Sequence, residues 1–347
     1  VLYVSVFSMP SFTSVHLVTT HPASAILPTL QSLVAQTNAT FQVILVENTA
    51  ESLDLPWSHG CGSDVMRLRN FRDQGFARSH NQALTSLFAR WPQSTWNDRF
   101  ILFLSGRLIL APDALHSLAE ALERDSSLMV VAPKVRQAHF RLRENDEEPV
   151  LMDTGVIEQV GIEAGKAFEP FSRGKHQKDE GQYDQMLDVF LPGTWCLLVR
   201  ASALMQARVG DEWFDNDLSE GWAMVDLGWR LRMLGMPMRW VPQALTWIQV
   251  PASQSLSLAR RLSRWYGRES LHARIERSYA CIVRCKNMSF GRLCLILPWL
   301  IPVWIVRLFA TLADPRVLPG MVRSWFILPR ALRKRRFLQL AIRRSRG

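Results

Sequence analysis

Long apolar runs, paired cysteines and, towards the C-terminus, acidic residues are what this sequence of 347 residues lacks. Its most apolar run, Leu293 to Val306, covers 14 residues between Arg292 and Arg307 and contains Pro298 and Pro302. A bilayer span needs about 20, so this run is expected to lie at a membrane surface rather than cross it. The five cysteines, Cys61, Cys196, Cys281, Cys285 and Cys294, are odd in number and show neither a disulfide framework nor zinc-ligand spacing. Reduced thiols in a cytosolic setting are expected, with Cys281 and Cys285 as a buried or interfacial pair on one helix face. No internal repeat and no disordered or fibrous composition is present; 48% apolar residues suffice for one large core or two modest ones. The first residues carry no basic n-region and no small-residue cleavage site, so a secretory signal is not expected, and the missing initiator Met suggests a truncated start.

The formal charge of +10 is unevenly spread. From Arg277 to Gly347 there are 15 Lys/Arg and one acid, Asp314, which leaves residues 1–276 at −4. Trp299, Trp304 and Trp325 beside Arg316, Arg323, Arg330 and the Arg333–Arg336 cluster suit an anionic membrane surface. The competing reading is a buried helix with a solvated basic end. Nucleic acid is not expected as a partner, because the tail shows no aromatic–basic interleaving.

Upstream, apolar runs alternate with helical patterns. Val15 to Thr19 and Phe41 to Glu47 flank a helix-patterned Ala25–Gln36, a β-α-β unit. Apolar residues on both faces predict a parallel sheet covered on both sides. Ligands of such sheets sit beyond the strand C-termini, which places Thr19, Thr20, His21, Glu47 and Asn48 at a crevice. Phe100 to Leu104 is a further strand that aims Ser105 and its neighbours into the same crevice. A helix follows from about Pro112 to Arg124, then a strand at Met129 to Pro133. From Ala223 to Leu234, Met224, Leu227, Leu231 and Leu234 recur at helical spacing, which puts Asp226, Arg230 and Arg232 on a polar face.

Several stretches carry a resemblance. Phe214 to Arg230 resembles F-D-E-D-F-F-A-Y-K-E-D-V-D-L-A-W-R, the acceptor-side motif of family 2 glycosyltransferases of the rhamnosyltransferase-like kind, with Phe214, Asp215, Asp217, Val225, Asp226, Leu227, Trp229 and Arg230 in common. Arg69 to Leu84 resembles R-N-x-x-N-x-G-F-A-x-A-H-N-Q-A-L, near the donor base and phosphates. Asp153, Gly155, Asp179, Gly181, Gln182, Tyr183, Asp184 and Gly193 follow the family's order. The resemblance runs from about Val15 to Val250. It implies a GT-A-type, Rossmann-like α/β domain over residues 1–250, with a donor half at about 15–150 and an acceptor half at 151–250. Residues 251–347 then form a helical, basic, membrane-associating tail.

The same resemblance implies roles. Thr19, Thr20, Glu47, Asn48, Arg69, Asn70, Gly75, Phe76, Asn81 and Ser105 would bind a nucleoside-diphosphate sugar. Asp215, Asp217, Trp229 and Arg230 would face a glycan or lipid-linked acceptor. The departures fall on the chemistry. The family's metal-binding aspartate is replaced by Arg107, its catalytic Glu-Asp pair by Ala223-Met224, and its late histidine by Ile248. The family usually takes Mg²⁺ or Mn²⁺; here no metal ligand and no cofactor are assigned. Two readings follow. In one, transfer proceeds with Arg107 stabilising the leaving phosphate and Asp226, or else Glu220 or Asp217, as base. In the other, a non-catalytic relative binds a nucleotide sugar or a partner glycosyltransferase. Either would sit on the cytoplasmic face of the cell membrane as a peripheral protein.

Overall fold

The computed structural model describes residues 12–50, 53, 65–141, 150–166, 168–250, 271–313 and 318–346. Cys61 and Arg316 lie outside them, as do the side chains of Trp304, Arg307, Arg323 and Trp325.

The chain opens β1 (Phe12–Thr19), α1 (Ala23–Val34), β2 (Phe41–Glu47), β3 (Val65–Arg69), α2 (Phe76–Phe88) and β4 (Arg99–Ser105). The four strands pair in parallel in the order β3-β2-β1-β4. Their residues alternate between two cores. Ile44, Val46, Ile101 and Phe103 face one side with α2, while Val43, Leu45, Leu102 and Leu104 face the other with α1. Period-two alternation between two apolar faces is why these strands read as unbroken apolar runs.

The sheet continues through β5 (Leu108–Leu110), β6 (Val130–Arg141), β7 (Val150–Gln159), β10 (Cys196–Arg200) and β11 (Met238–Gln249). Its order is β3-β2-β1-β4-β10-β6-β11-β5, with β7 on β6. β6 and β11 pair in parallel, whereas β10, β5 and β7 enter antiparallel. Two short strands, β8 (Ile162–Ala164) and β9 (Pro170–Ser172), make a separate hairpin. The remaining helices of this part are α3 (Ala114–Arg124), α4 (Ala201–Gln206) and α5 (Glu220–Met233).

Three helices end the chain: α6 (Leu271–Asn287), α7 (Phe290–Ala313) and α8 (Leu318–Arg346). The tail is helical and is also part of the core. Tyr279, Ile282 and Val283 of α6, Ile296 and Leu300 of α7, and Ile327 and Ala331 of α8 join the cluster that contains α2 and α5. Among the described residues no helix is long and apolar enough to cross a membrane.

The segment from Lys178 to Asp184 is tied down by ion pairs. Lys134, 4% exposed, donates to Asp179 at 3.0 Å and Asp184 at 2.8 Å, and Arg136 joins Asp179 to Asp153.

Candidate functional site

The carboxyl ends of β1, β2, β3 and β4 lie at one edge of the sheet, where a ligand crevice is expected in parallel sheets, and the turns that follow them are its lips. At β2, Asn48 is fixed by its neighbours. It donates from Nδ2 to Ser79 Oγ at 2.8 Å, and its Oδ1 accepts from Asn70 and Ser79 at 3.0 Å each. Asp73 accepts the Gly75 amide at 2.7 Å, so the turn into α2 is braced from within. Gly75 has φ +80° and no atom within 4 Å of where a Cβ would stand, which leaves an open backbone surface beside the crevice. Arg69 and Phe71 complete the lip: the guanidinium lies 4.8 Å from the ring centroid, and the ring is 73% exposed. Thr20 and His21 are exposed at the end of β1, while Thr19 is buried and its hydroxyl accepts the His21 amide at 3.1 Å.

At the end of β4, Ser105 donates its amide to the Trp195 carbonyl at 2.9 Å, and the exposed Arg107 stacks 5.5 Å from the Trp195 ring centroid. Leu108 pairs in register with Ile248 across β5 and β11. Two of the three positions where the chemistry departs from the family pattern therefore meet in space. A divalent cation does not fit the residues present: Ser105, Gly106 and Arg107 bring a cation and no carboxylate, and Ile248 is apolar and buried. Among the described residues no group of three or more His, Cys, Asp or Glu could hold a metal ion.

Several residues assigned to ligands by their position in the sequence are committed to the fold. Glu47 is 1% exposed; its carboxylate takes Arg67 Nε and the Leu53 amide, so it does not reach the crevice. Phe76 is turned inward onto His80 and Phe214. Asn81 is a strap. Its Oδ1 accepts the amides of Trp213 and Phe214 at 3.0 and 2.9 Å, and its Nδ2 donates to the Phe214 carbonyl and Asn216. His80 lies in the core parallel to His16, centroids 6.3 Å apart, among Phe76, Phe103 and Phe214. Neither imidazole is exposed, and none of the four ring nitrogens has a hydrogen-bond partner among the described residues. Burial lowers the His16 pKa to about 3; burial, then the neighbouring His16, lowers that of His80 well below its ordinary value.

The acceptor-side motif is corrected most. Helix α5 is buried from Ala223 to Leu231 on every face, so the predicted polar face with Asp226 and Arg230 is interior. Asp226, 0% exposed, receives Lys286 Nζ at 2.9 Å, Arg230 Nε at 3.0 Å and Asn287 Nδ2 at 2.9 Å. Arg230 also donates to the carbonyls of Ala207 and Trp213. Trp229 stacks on Phe168 at 5.7 Å and meets Phe190 edge-on. A sealed carboxylate with three donors cannot reach an acceptor hydroxyl, so Asp226 does not serve as a base here.

Asp215, also buried, takes Lys286 at 2.7 Å and Lys334 at 2.5 Å. Burial acts to raise its pKa, but the two ammonium groups outweigh it and hold the carboxyl well below the usual range. Lys334 further binds Glu212 at 2.8 Å and Asp217 at 3.3 Å, and Arg330 reaches Asp217 at 3.3 Å. Ala223 and Met224, where the family pattern carries its acids, are 0% and 2% exposed. Glu220 alone of the three base candidates is exposed, at the first turn of α5.

Lys286 and Lys334 could not be assigned to this site by sequence, because they stand 60 to 122 residues from their acids and read only as tail charge. Asp73 and Trp195 were missed as well; Asp73 stands two residues before Gly75, a spacing that could have pointed to a braced turn.

No protein-family model and no curated protein sequence matches this chain. Solved structures do. The chain superposes on GalNAc-T7 with UDP, GalNAc and Mn²⁺ at a TM-score of 0.50 and 11% identity, covering 79% of this chain and 51% of that one, about half its length. It is also similar to the mannosyltransferase PcManGT from Pyrobaculum calidifontis in complex with GDP-Man and Mn²⁺ (TM-score 0.47, 14% identity, 98% of this chain and 88% of that one). A third is S. aureus TarS 1-349 in complex with UDP (TM-score 0.48, 12% identity, 92% and 91%). With the parallel β3-β2-β1-β4 block, the two-sided core and the crevice at its carboxyl ends, the superposition on GalNAc-T7 shows that the chain has the GT-A fold of glycosyltransferases.

Proposed function

We propose that this protein binds a nucleoside-diphosphate sugar in the crevice over β1, β2 and β4. In this reading it serves assembly of a glycan on a lipid-linked or surface acceptor without performing the metal- and base-dependent transfer itself. One observation carries the reading: the carboxylates of the acceptor-side motif are neutralised from within by Lys286 and Lys334. The crevice keeps what a nucleotide needs. Phe71 offers a ring face for a base, the open backbone at Gly75 allows close approach, and Arg107 supplies positive charge for phosphate. A partner transferase that uses the held donor completes this reading.

The second reading is metal-independent transfer. It is favoured by the exposed Arg107 on the β4 lip, a fixed cation able to stabilise a departing diphosphate, with Glu220 left as the base. Calorimetric binding and product analysis over a donor panel, with and without Mg²⁺ or Mn²⁺, separate the two. The expected result is binding of UDP- or GDP-sugars, weakened about tenfold in Arg107→Ala, with neither transfer nor hydrolysis. Turnover without metal that disappears in Arg107→Ala would establish the second reading, and metal-dependent turnover would overturn both.

For location, we propose peripheral attachment to the cytoplasmic membrane face through α7 and α8. Phe290, Leu295, Trp299 and Ile301 of α7 are more than half exposed, Arg292 is exposed among them, and Arg333 and Arg336 are exposed on α8. The basic cluster contributes less than its four charges suggest, since Lys334 is spent on Glu212, Asp215 and Asp217, and Arg335 donates to the Cys285 carbonyl.

A further inference from the structure

A cavity of about 420 Å³ opens where the first turn of α2 meets the Glu212–Asp217 loop and α8. Its charged lining is Arg78, Arg330, Arg333 and Lys334 against Glu212 and Asp217. Both acids already engage Lys334, and among the described residues Arg330 makes one long contact, 3.3 Å to Asp217, while no acid pairs with Arg78 or Arg333. Three guanidinium groups thus face one space with little internal compensation, and forked N–H donors of this kind match the oxygens of a phosphate.

Helix α8, which supplies Arg330 and Arg333, is built in two stripes. Ile327, Ala331, Lys334 and Leu338 form the face turned to the protein. One residue earlier at each turn, Phe326, Arg330, Arg333 and Phe337 form a neighbouring face, with Leu340 continuing it. Phe326 is 76% exposed, Phe337 61% and Leu340 53%, and Phe337 lines the cavity itself. Arginines bracketed by exposed aromatic and aliphatic side chains suit a ligand whose anionic head continues into a hydrocarbon chain. A soluble phosphate has no use for the apolar flanks.

We infer that this cavity binds the phosphate or diphosphate headgroup of a lipid. The inference deepens the function proposed above, because such a lipid would be the carrier of the acceptor, and it does not depend on the donor crevice. The test uses the full chain with three probes: inorganic diphosphate, phosphatidylcholine vesicles containing phosphatidic acid, and vesicles matched in surface charge with phosphatidylglycerol. Cosedimentation should be at least fivefold stronger with phosphatidic acid, whose terminal phosphate enters the cavity, and inorganic diphosphate should compete the excess away. Arg78→Gln with Arg333→Gln should abolish the excess and leave UDP binding unchanged, and Arg78→Gln alone should lower the excess without changing phosphatidylglycerol binding. Phe337→Ser should lower the lipid excess but leave diphosphate binding intact. Equal binding to both vesicle types, or a full excess in the double variant, would overturn the proposal. Tight diphosphate binding without a lipid excess would overturn the lipid assignment. Loss of UDP binding alone would count against the donor crevice and leave this cavity standing.

Discussion

The buried pair His16 and His80 makes stability depend on pH in a calculable way. In the fold both imidazoles are held neutral by burial, His16 down to about pH 3 and His80 well below its ordinary value. The unfolded chain titrates near 6.5, so as pH falls it takes up protons that the folded chain refuses. The stabilising effect is therefore complete above pH 6.5 and is lost progressively from 6.5 towards the folded value. At pH 5.5 His16 costs about 1 kcal/mol relative to pH 8, and His80 adds a loss of the same sign, a noticeable share of a typical 5–15 kcal/mol. The slope there is on the order of 1 kcal/mol per pH unit from His16, and His80 steepens it. Carboxylates act lower: Asp215, held down by Lys286 and Lys334, adds stability that is present above its unfolded value of about 3.9 and lost as pH falls below it. Urea titrations followed by tryptophan fluorescence between pH 7.5 and 5.0 measure the slope. His16→Leu and His80→Leu, each close to the imidazole in volume, should each halve it, whatever they do to stability at pH 7.5. A wild-type slope near zero in this window, or variants that keep the full slope, would refute the argument.

Lys286→Met should destabilise the protein by about 3–5 kcal/mol in urea, because Asp215 and Asp226 each lose a buried cation, and adding Asp226→Asn should recover part of the loss. Asn81→Ala strips partners from the amides of Trp213 and Phe214, and calorimetry should show a loss of about 3 kcal/mol. Gly161→Ala should cost more than Gly75→Ala. At Gly161 (φ +93°) a Cβ would stand 2.4 Å from Val189, giving about 3 kcal/mol, whereas at Gly75 only the backbone conformation resists, about 1–2 kcal/mol. Release from phosphatidylglycerol vesicles should be partial on raising salt from 0.1 to 1 M, which shortens the Debye length from about 10 to 3 Å. Complete release would show that the exposed apolar residues of α7 add nothing.

The parallel half of the sheet was legible because its strands are apolar on both faces; Phe41–Glu47 emerges with the bounds its pattern predicts. The site was less legible, for a physical reason. A motif fixes which residues stand at a turn but not whether their side chains point to a ligand or to each other. Asn81 and Glu47 stand where the resemblance puts them and spend their hydrogen bonds on neighbours. Helix α5 was misjudged because charge was read as exposure. Asp226 and Arg230, four residues apart, pair within the helix, and Lys286, 60 residues after Asp226, bridges that carboxylate to Asp215.

That distance has a consequence for synthesis. Chains grow at about 5–20 residues per second, so α5 leaves the ribosome several seconds before the cation that neutralises its buried acids exists. In that interval Asp215 has no cation and Asp226 has only Arg230, so both acids gain from water until Lys286 arrives. Closure of the core thus waits for α6, and fixing Lys334 against Asp215 waits for α8. The C-terminal helices act as a completion check: a chain that stops at Gln249 lacks the apolar side chains, Tyr279, Ile282, Val283, Ile296, Leu300, Ile327 and Ala331, that complete the cluster around α2 and α5.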